Sequence, residues 1–278
     1  MVSSPANDAT TMTTRAHEAP VLEAVNLERA FGAQRVLRGV NLRIETGLVT
    51  VIIGGSGSGK SVLIKHLIGL LQPDAGEVRF HGQALADMNG RDLLRFRARM
   101  GMLFQSGALF DSMSVYENVA FPLREHRRNL SRADERELVI DALQQLGLRN
   151  IDHKFPSELS GGMRKRVGLA RATILGPEII FYDEPTTGLD PIMIHQVDDM
   201  IAETQERLKV TSIVISHDMA STFRIGHRVA MLYEGEIIAY DTPQRFREVD
   251  DPRVQRFINV SGTGPLQPMV PKATAGQP

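Results

Sequence analysis

Leu48-Val49-Thr50-Val51-Ile52-Ile53-Gly54-Gly55-Ser56-Gly57-Ser58-Gly59-Lys60-Ser61 is the stretch on which the reading of this chain turns. Its first six residues are apolar or β-branched and read as a strand buried on both faces. The next eight match the phosphate-binding pattern G-x-x-x-x-G-K-[ST], and the following residues, Ser61 to Leu71, are helical by period. A strand running into glycines and then a helix is the context this chemistry requires. Gly54, Gly55, Ser56, Gly57, Ser58 and Gly59 let backbone N–H groups curl around phosphate oxygens, and the helix N-terminus through Val62 adds its positive dipole. Lys60 reaches the terminal phosphates of a nucleotide, and the Ser61 hydroxyl is a ligand for Mg²⁺. A plain glycine turn would have no use for Lys-Ser after its last glycine.

Upstream, the alternating segments VLEAVNLERAF and VLRGVNLRI from Val21 onward are β-rich. Downstream, Gln72-Pro-Asp-Ala-Gly76 reads as a turn and Glu77-Val-Arg-Phe80 as a strand, and residues 91 to about 175 carry mostly helical patterns with Pro122 and Pro156 as breaks. Glu178 to Tyr182 and Val210 to Ile215 are short apolar runs separated by the helical stretch Ile192 to Leu208, the alternation that a parallel α/β sheet produces. Arg228 to Tyr240 reads as a closing hairpin turning at Glu234-Gly235. The expected organisation is a Ser/Thr/Ala-rich leader (1–19), one α/β domain (20–250) with a helical part inserted at about 91–175, and a C-terminal extension and tail (251–278).

The chain has 278 residues, 42% apolar and 23% charged, enough to bury a substantial core. Its 32 Lys and Arg against 33 Asp and Glu leave no global basic field, so nucleic acid is not an expected partner. With no cysteine there are no disulfides, Cys-ligated zinc or thiol nucleophiles. No apolar run approaches the ~20 residues that span a bilayer, so a membrane role has to come through a partner.

Two further segments carry chemistry. Ile179-Ile-Phe-Tyr-Asp183-Glu184 is an apolar strand ending in paired carboxylates. Strand alternation would send the two side chains to opposite sides, leaving Asp183 for Mg²⁺ and Glu184 to polarise the water that attacks a phosphate. Acids also end strands without any such role, and it is the phosphate loop upstream that weighs for the catalytic reading. Leu159-Ser160-Gly161-Gly162-Met163 precedes a basic helical run and reads as a Ser-capped helix N-terminus, hence a second anion site on one chain.

At this point a resemblance becomes specific. Leu159 to Met163 resembles the LSGGQ signature of ABC ATPases, with Met163 where Gln is usual. Gln105 in MLFQSG resembles the family's Q-loop, Gly188-Leu189-Asp190 its D-loop and His217 in VISHD its switch histidine; Phe31 lies where the family stacks an aromatic on adenine. The resemblance implies an α/β fold, a P-loop NTPase core of ABC type with an antiparallel β-subdomain and a helical subdomain. It implies ATP and Mg²⁺ as ligands and an ATPase that works as a dimer, each ATP lying between one copy's phosphate loop and the other's Ser160-Gly161-Gly162. His217 would contact the γ-phosphate, and Gln105 would sense Mg²⁺ and relay to a membrane partner.

Within that family, Met102 to His126 and Asp251-Pro-Arg-Val-Gln-Arg-Phe257 are similar to the ATPases of the Mla (maintenance of lipid asymmetry) phospholipid transport systems. This kinship implies a permease dimer docked at the 104–116 loop, an MCE-class lipid-binding protein, a small STAS-domain protein in some systems, and a peripheral position on the cytoplasmic face of the bacterial inner membrane. The alternatives are the ATPase of an amino-acid or other small-solute importer, whose catalytic residues would be the same, and a non-transport ABC ATPase of DNA repair or translation. The latter usually carry coiled coils, zinc cysteines or two cassettes in one chain, which this sequence lacks.

Overall fold

The computed structural model describes residues 19–105, 107–127 and 129–261. Its strands are β1 (Leu22–Phe31), β2 (Gln34–Ile44), β3 (Val49–Ile53), β4 (Ala75–Phe80), β5 (Gln83–Ala84), β6 (Met100–Leu103), β7 (Ile179–Asp183), β8 (Thr211–Ser216), β9 (Arg228–Tyr233) and β10 (Glu236–Asp241). The helices are α1 (Lys60–Leu67), α2 (Gly90–Ala98), α3 (Val115–His126), α4 (Arg132–Gln145), α5 (Gly161–Thr173), α6 (Pro191–Leu208), α7 (Met219–Ile225), α8 (Pro243–Arg247) and α9 (Pro252–Ser261).

Two sheets form. An antiparallel sheet runs β2-β1-β4-β5, and a six-stranded sheet runs β10-β9-β3-β8-β7-β6, parallel except for the β9–β10 hairpin. All five residues of β3 and all six of β8 are buried, Thr50, Thr211, Ser212 and Ser216 among them, because both faces of these central strands are covered. One apolar core joins the antiparallel sheet and α1 to one face of the parallel sheet; a second joins the other face to α6, α7 and α9. A third core is built by α3, α4 and α5, with Val115, Val119, Leu123, Val139, Leu143 and Val167 at its centre.

Three local expectations change. The helix after the phosphate loop ends at Leu67 and not Leu71, because Gly69 turns left-handed (φ 68) and Leu70 and Leu71 bond back to the Lys65 carbonyl. Pro122 lies inside α3 and does not break it: a Ser114/Glu117 capping box starts the helix, and burial of Val115, Val119 and Leu123 against the third core outweighs the lost N–H. Met100–Leu103, within the stretch read as mostly helical, is the edge strand of the parallel sheet, paired with β7. Four residues are too few for strand periodicity to show against helical neighbours. The leader lies outside the described residues apart from residue 19, as does the tail beyond residue 261.

Candidate functional site

Three parallel strands deliver the site. Ile53 at the end of β3 pairs in register with Ser216 at the end of β8, and Asp183 at the end of β7 pairs with Ile215. Neighbouring strands are about 4.8 Å apart, so the residues that follow them emerge side by side along the carboxyl edge, where open α/β sheets bind ligands. Those residues are the glycine loop, His217 and Glu184. They enclose a cleft of about 520 Å³ walled by Val36, Gly54 to Gly57, Gly59 to Val62, Glu184, His217 and Phe257.

The loop is shaped for anions. Gly59 is the N-cap of α1 at φ 108 with no side-chain cap, so the first backbone N–H groups of the helix stay free to bind a ligand. Gly54 has no room for a side chain, since a Cβ there would sit 2.3 Å from the Leu232 carbonyl oxygen. Lys60 is buried, and its Nζ donates to the carbonyls of Gly54 (2.7 Å) and Gly55 (2.9 Å). Burial lowers its pKa, while the charges of Glu184 and Asp183 act in the opposite direction. Asp183 is raised by burial and by Glu184, with Lys60 opposing. These groups therefore share one electrostatic environment.

Glu184 has left the strand. It takes a left-handed conformation (φ 47) while its N–H still bonds to the Ile215 carbonyl, and Thr187 Oγ1 donates to its Oε2 at 3.1 Å. The two carboxylates are thus separated by this turn and not by strand alternation, since β7 stops at Asp183. A non-glycine residue held at positive φ costs on the order of 1–3 kcal/mol, and such strain collects at functional positions. His217, exposed, places its Nδ1 3.7 Å from the same Glu184 oxygen.

Ser160, Gly161, Gly162 and Asp190 are not brought to this cleft. Ser160 caps α5, its hydroxyl accepting from Met163 N–H at 3.3 Å. Asp190 caps α6 through Met193 N–H at 3.0 Å, and Met193 Cε lies 3.1 Å from where a Cβ on Gly162 would be, so the two helix starts pack together. Buried Lys165 donates from α5 to the Pro185 carbonyl, tying this second place to the turn that follows Glu184. Gln105 is exposed just past β6 on the same carboxyl edge, and Phe31 is exposed at the end of β1 with the Arg29 guanidinium 4.8 Å from its ring centre. Neither walls the cleft, although β2, the partner of β1, brings Val36 to it. Sequence reasoning missed Val36, Thr187, Lys165 and the cleft-facing role of Phe257; none sits in a pattern whose spacing dictates chemistry.

A parallel sheet carrying a phosphate loop, a carboxylate pair and a histidine on one edge, beside an antiparallel sheet and a helical bundle, is the architecture of an ABC-type ATPase. The ABC transporter family profile matches residues 37–187, and the chain belongs to that family. It is 40% identical over 247 residues to the Haemophilus influenzae intermembrane phospholipid transport system ATP-binding protein MlaF, covering 89% of this chain and 93% of that protein. It is 38% identical over 245 residues to the Mycobacterium leprae probable ribonucleotide transport ATP-binding protein mkl, covering 88% and 70% respectively. Among solved structures it resembles cbiO1 of Clostridium perfringens, part of the ABC transporter complex cbiONQ (TM-score 0.76, 30% identity, 87% of this chain and 96% of that one). It also resembles the dimeric ATP-binding cassette MJ0796 in a post-hydrolysis state bound to ADP and Pi (TM-score 0.71, 29% identity, 80% and 98%). No described helix is long and apolar enough to cross a membrane.

Proposed function

We propose that this ATPase is the motor of a phospholipid-moving ABC transporter, with its chemistry at the cleft between the glycine loop, Glu184 and His217. The observation that carries the catalytic reading is the convergence of Lys60, Asp183, Glu184 and His217 at the ends of adjacent parallel strands. The lipid reading rests on the 40% identity to MlaF across nearly the whole of both chains.

In this reading the γ-phosphate of ATP displaces the Gly54 and Gly55 carbonyls from Lys60, and the open N–H groups of the loop take the β-phosphate. Glu184 polarises a water whose oxygen attacks the γ-phosphorus; the bond to the β-phosphate oxygen breaks, and ADP and inorganic phosphate leave. His217 orients the γ-phosphate against Glu184. Mg²⁺ fits the donor set, because the Ser61 hydroxyl and the Asp183 carboxylate are hard oxygen ligands beside a phosphate cradle, and among the described residues no group of three acidic, His or Cys side chains forms an all-protein cage. Ser61, Asp183 and Gln105 would hold it, and when bound it neutralises charge on the phosphates. Phe31 stacks on the adenine.

A second copy of the chain contributes Ser160, Gly161 and Gly162 to each ATP and places its Asp190 near the phosphate loop. Phe104 and Phe110, 40% and 43% exposed, present an apolar face to a permease dimer. The chain itself sits peripherally at the cytoplasmic face of the inner membrane, and its further partners are an MCE-class lipid-binding protein and, in some systems, a small STAS-domain protein. Purification of the tagged chain from its native membranes, with mass spectrometry of what accompanies it, tests this. A permease with an MCE-class protein and bound phospholipid is the expected result; a solute-binding importer complex would keep the ATPase and refute the lipid.

A further inference from the structure

Behind the cleft, away from its walls, α6 and α7 are joined by a buried polar contact. Asp198, two turns along the helix capped by Asp190, is 1% exposed. Ser221, 3% exposed on α7, donates its hydroxyl to Asp198 Oδ1 at 2.5 Å. Arg224 of α7 stands 3.9 Å from the other oxygen while bonding to Asp199 at 2.5 Å. Burying a carboxylate here is expensive, and a hydrophobic side chain would fill the same place at less cost.

What the contact holds is the segment carrying His217. Asp218, the next residue, caps α7 by accepting from Ser221 N–H at 3.1 Å, and its own N–H bonds to Ser216 Oγ at 3.0 Å. Ser221 is therefore fixed twice, through its backbone to Asp218 and through its hydroxyl to Asp198. His217 lies between the central strand β8 and this doubly held helix start. Asp198 also lines a narrow internal gap with Pro185, Thr186, Ser216 and Ser221, so it borders the turn that follows Glu184. The body of α6, the turn after Glu184 and the His217 segment meet at this one side chain.

We propose that Asp198 is a positioning residue for hydrolysis: its hydrogen bond with Ser221 ties α6 to the segment bearing His217 and so holds His217 against Glu184. This rests on the role given to His217 above.

The test is steady-state phosphate release by the full chain, with ATP affinity measured by calorimetry. Ser221→Ala, which deletes one hydroxyl and leaves the backbone bond from residue 221 to Asp218 in place, is expected to lower kcat about tenfold with KM and ATP affinity unchanged, because small misplacements of catalytic groups are amplified in rate. Asp198→Asn, which still accepts from Ser221, should stay within about twofold of wild type. In a His217→Ala background Ser221→Ala should cost nothing further, since residues acting as a unit are not additive. Wild-type kcat in Ser221→Ala, or the same tenfold loss in the His217→Ala background, overturns the inference alone. Wild-type turnover in His217→Ala itself would overturn the role of His217 and this inference with it.

Discussion

The helix starts of α1 and α5 both carry glycines, before the cap at α1 and as the first two residues Gly161 and Gly162 at α5, and they are built differently. At α1 the cap is Gly59, left-handed and without a side-chain bond, so the N–H donors are open; Lys60 and two carboxylates stand within electrostatic reach. At α5 the cap is Ser160, whose hydroxyl already satisfies the Met163 N–H, and its start is exposed. The first place has a cation, acids and a histidine of its own. The second has donors and no acidic or histidine partner at its cap, and in the proposed reading it assists a phosphate brought by another copy. On the proposed function, binding would be a property of one chain and turnover of two.

The sharpest way to break this division is Glu184→Gln. Turnover should fall about 1000-fold, within the range for a lost general base, while ATP affinity holds; phosphate release and calorimetry together check it. Equal hydrolysis would move the base elsewhere. Next, Ser160→Arg should abolish the ATP-dependent dimer seen by light scattering and lower turnover several hundredfold, roughly what lost positioning costs, with monomer affinity unchanged. A normal dimer would make the α5 start an ordinary capped helix. Lys60→Ala should act on binding itself, weakening ATP affinity about 100-fold in calorimetry, the equivalent of one charged hydrogen-bond set. Unchanged affinity would remove the loop from the binding site.

The smallest effect on function, and a sharpening one, concerns Asp198, whose carboxyl is pushed up to about 6 mainly by burial. Because the folded chain keeps this proton to higher pH than the unfolded chain, stability from this group is greatest at low pH and falls as pH rises from about 4 to about 6. Asp198→Asn should lack that fall, so its unfolding free energy should gain on wild type by on the order of 3 kcal/mol across the window and run parallel above it. Thermal melts between pH 4 and pH 8 decide it; parallel curves throughout would mean that the carboxylate is better solvated than its 1% exposure implies.

Much of this was legible before any coordinates. The glycine loop, the apolar strands at 48–53 and 178–182 and the hairpin at Glu234-Gly235 announce themselves because backbone sterics and burial demand those residue types locally. Three things were not. The strand at Met100–Leu103 is too short to show a period. Pro122 reads as a break until the third core is known to hold its helix together. The separation of Asp183 from Glu184 looked like strand alternation and proved to be a left-handed turn, a dihedral that sequence does not report.

The sequence by itself pointed to a bound phosphate and to the residue types proposed to act on it, since that chemistry depends on local order: glycines before lysine, acids after an apolar strand. Only the tertiary structure decided that Lys60, Glu184 and His217 share a cleft while Ser160 and Asp190 lie outside it. It alone also put Asp198 against Ser221. The physical reason is strand register: residues more than a hundred positions apart become neighbours because β3, β8 and β7 end together, and no local pattern encodes which strands pair.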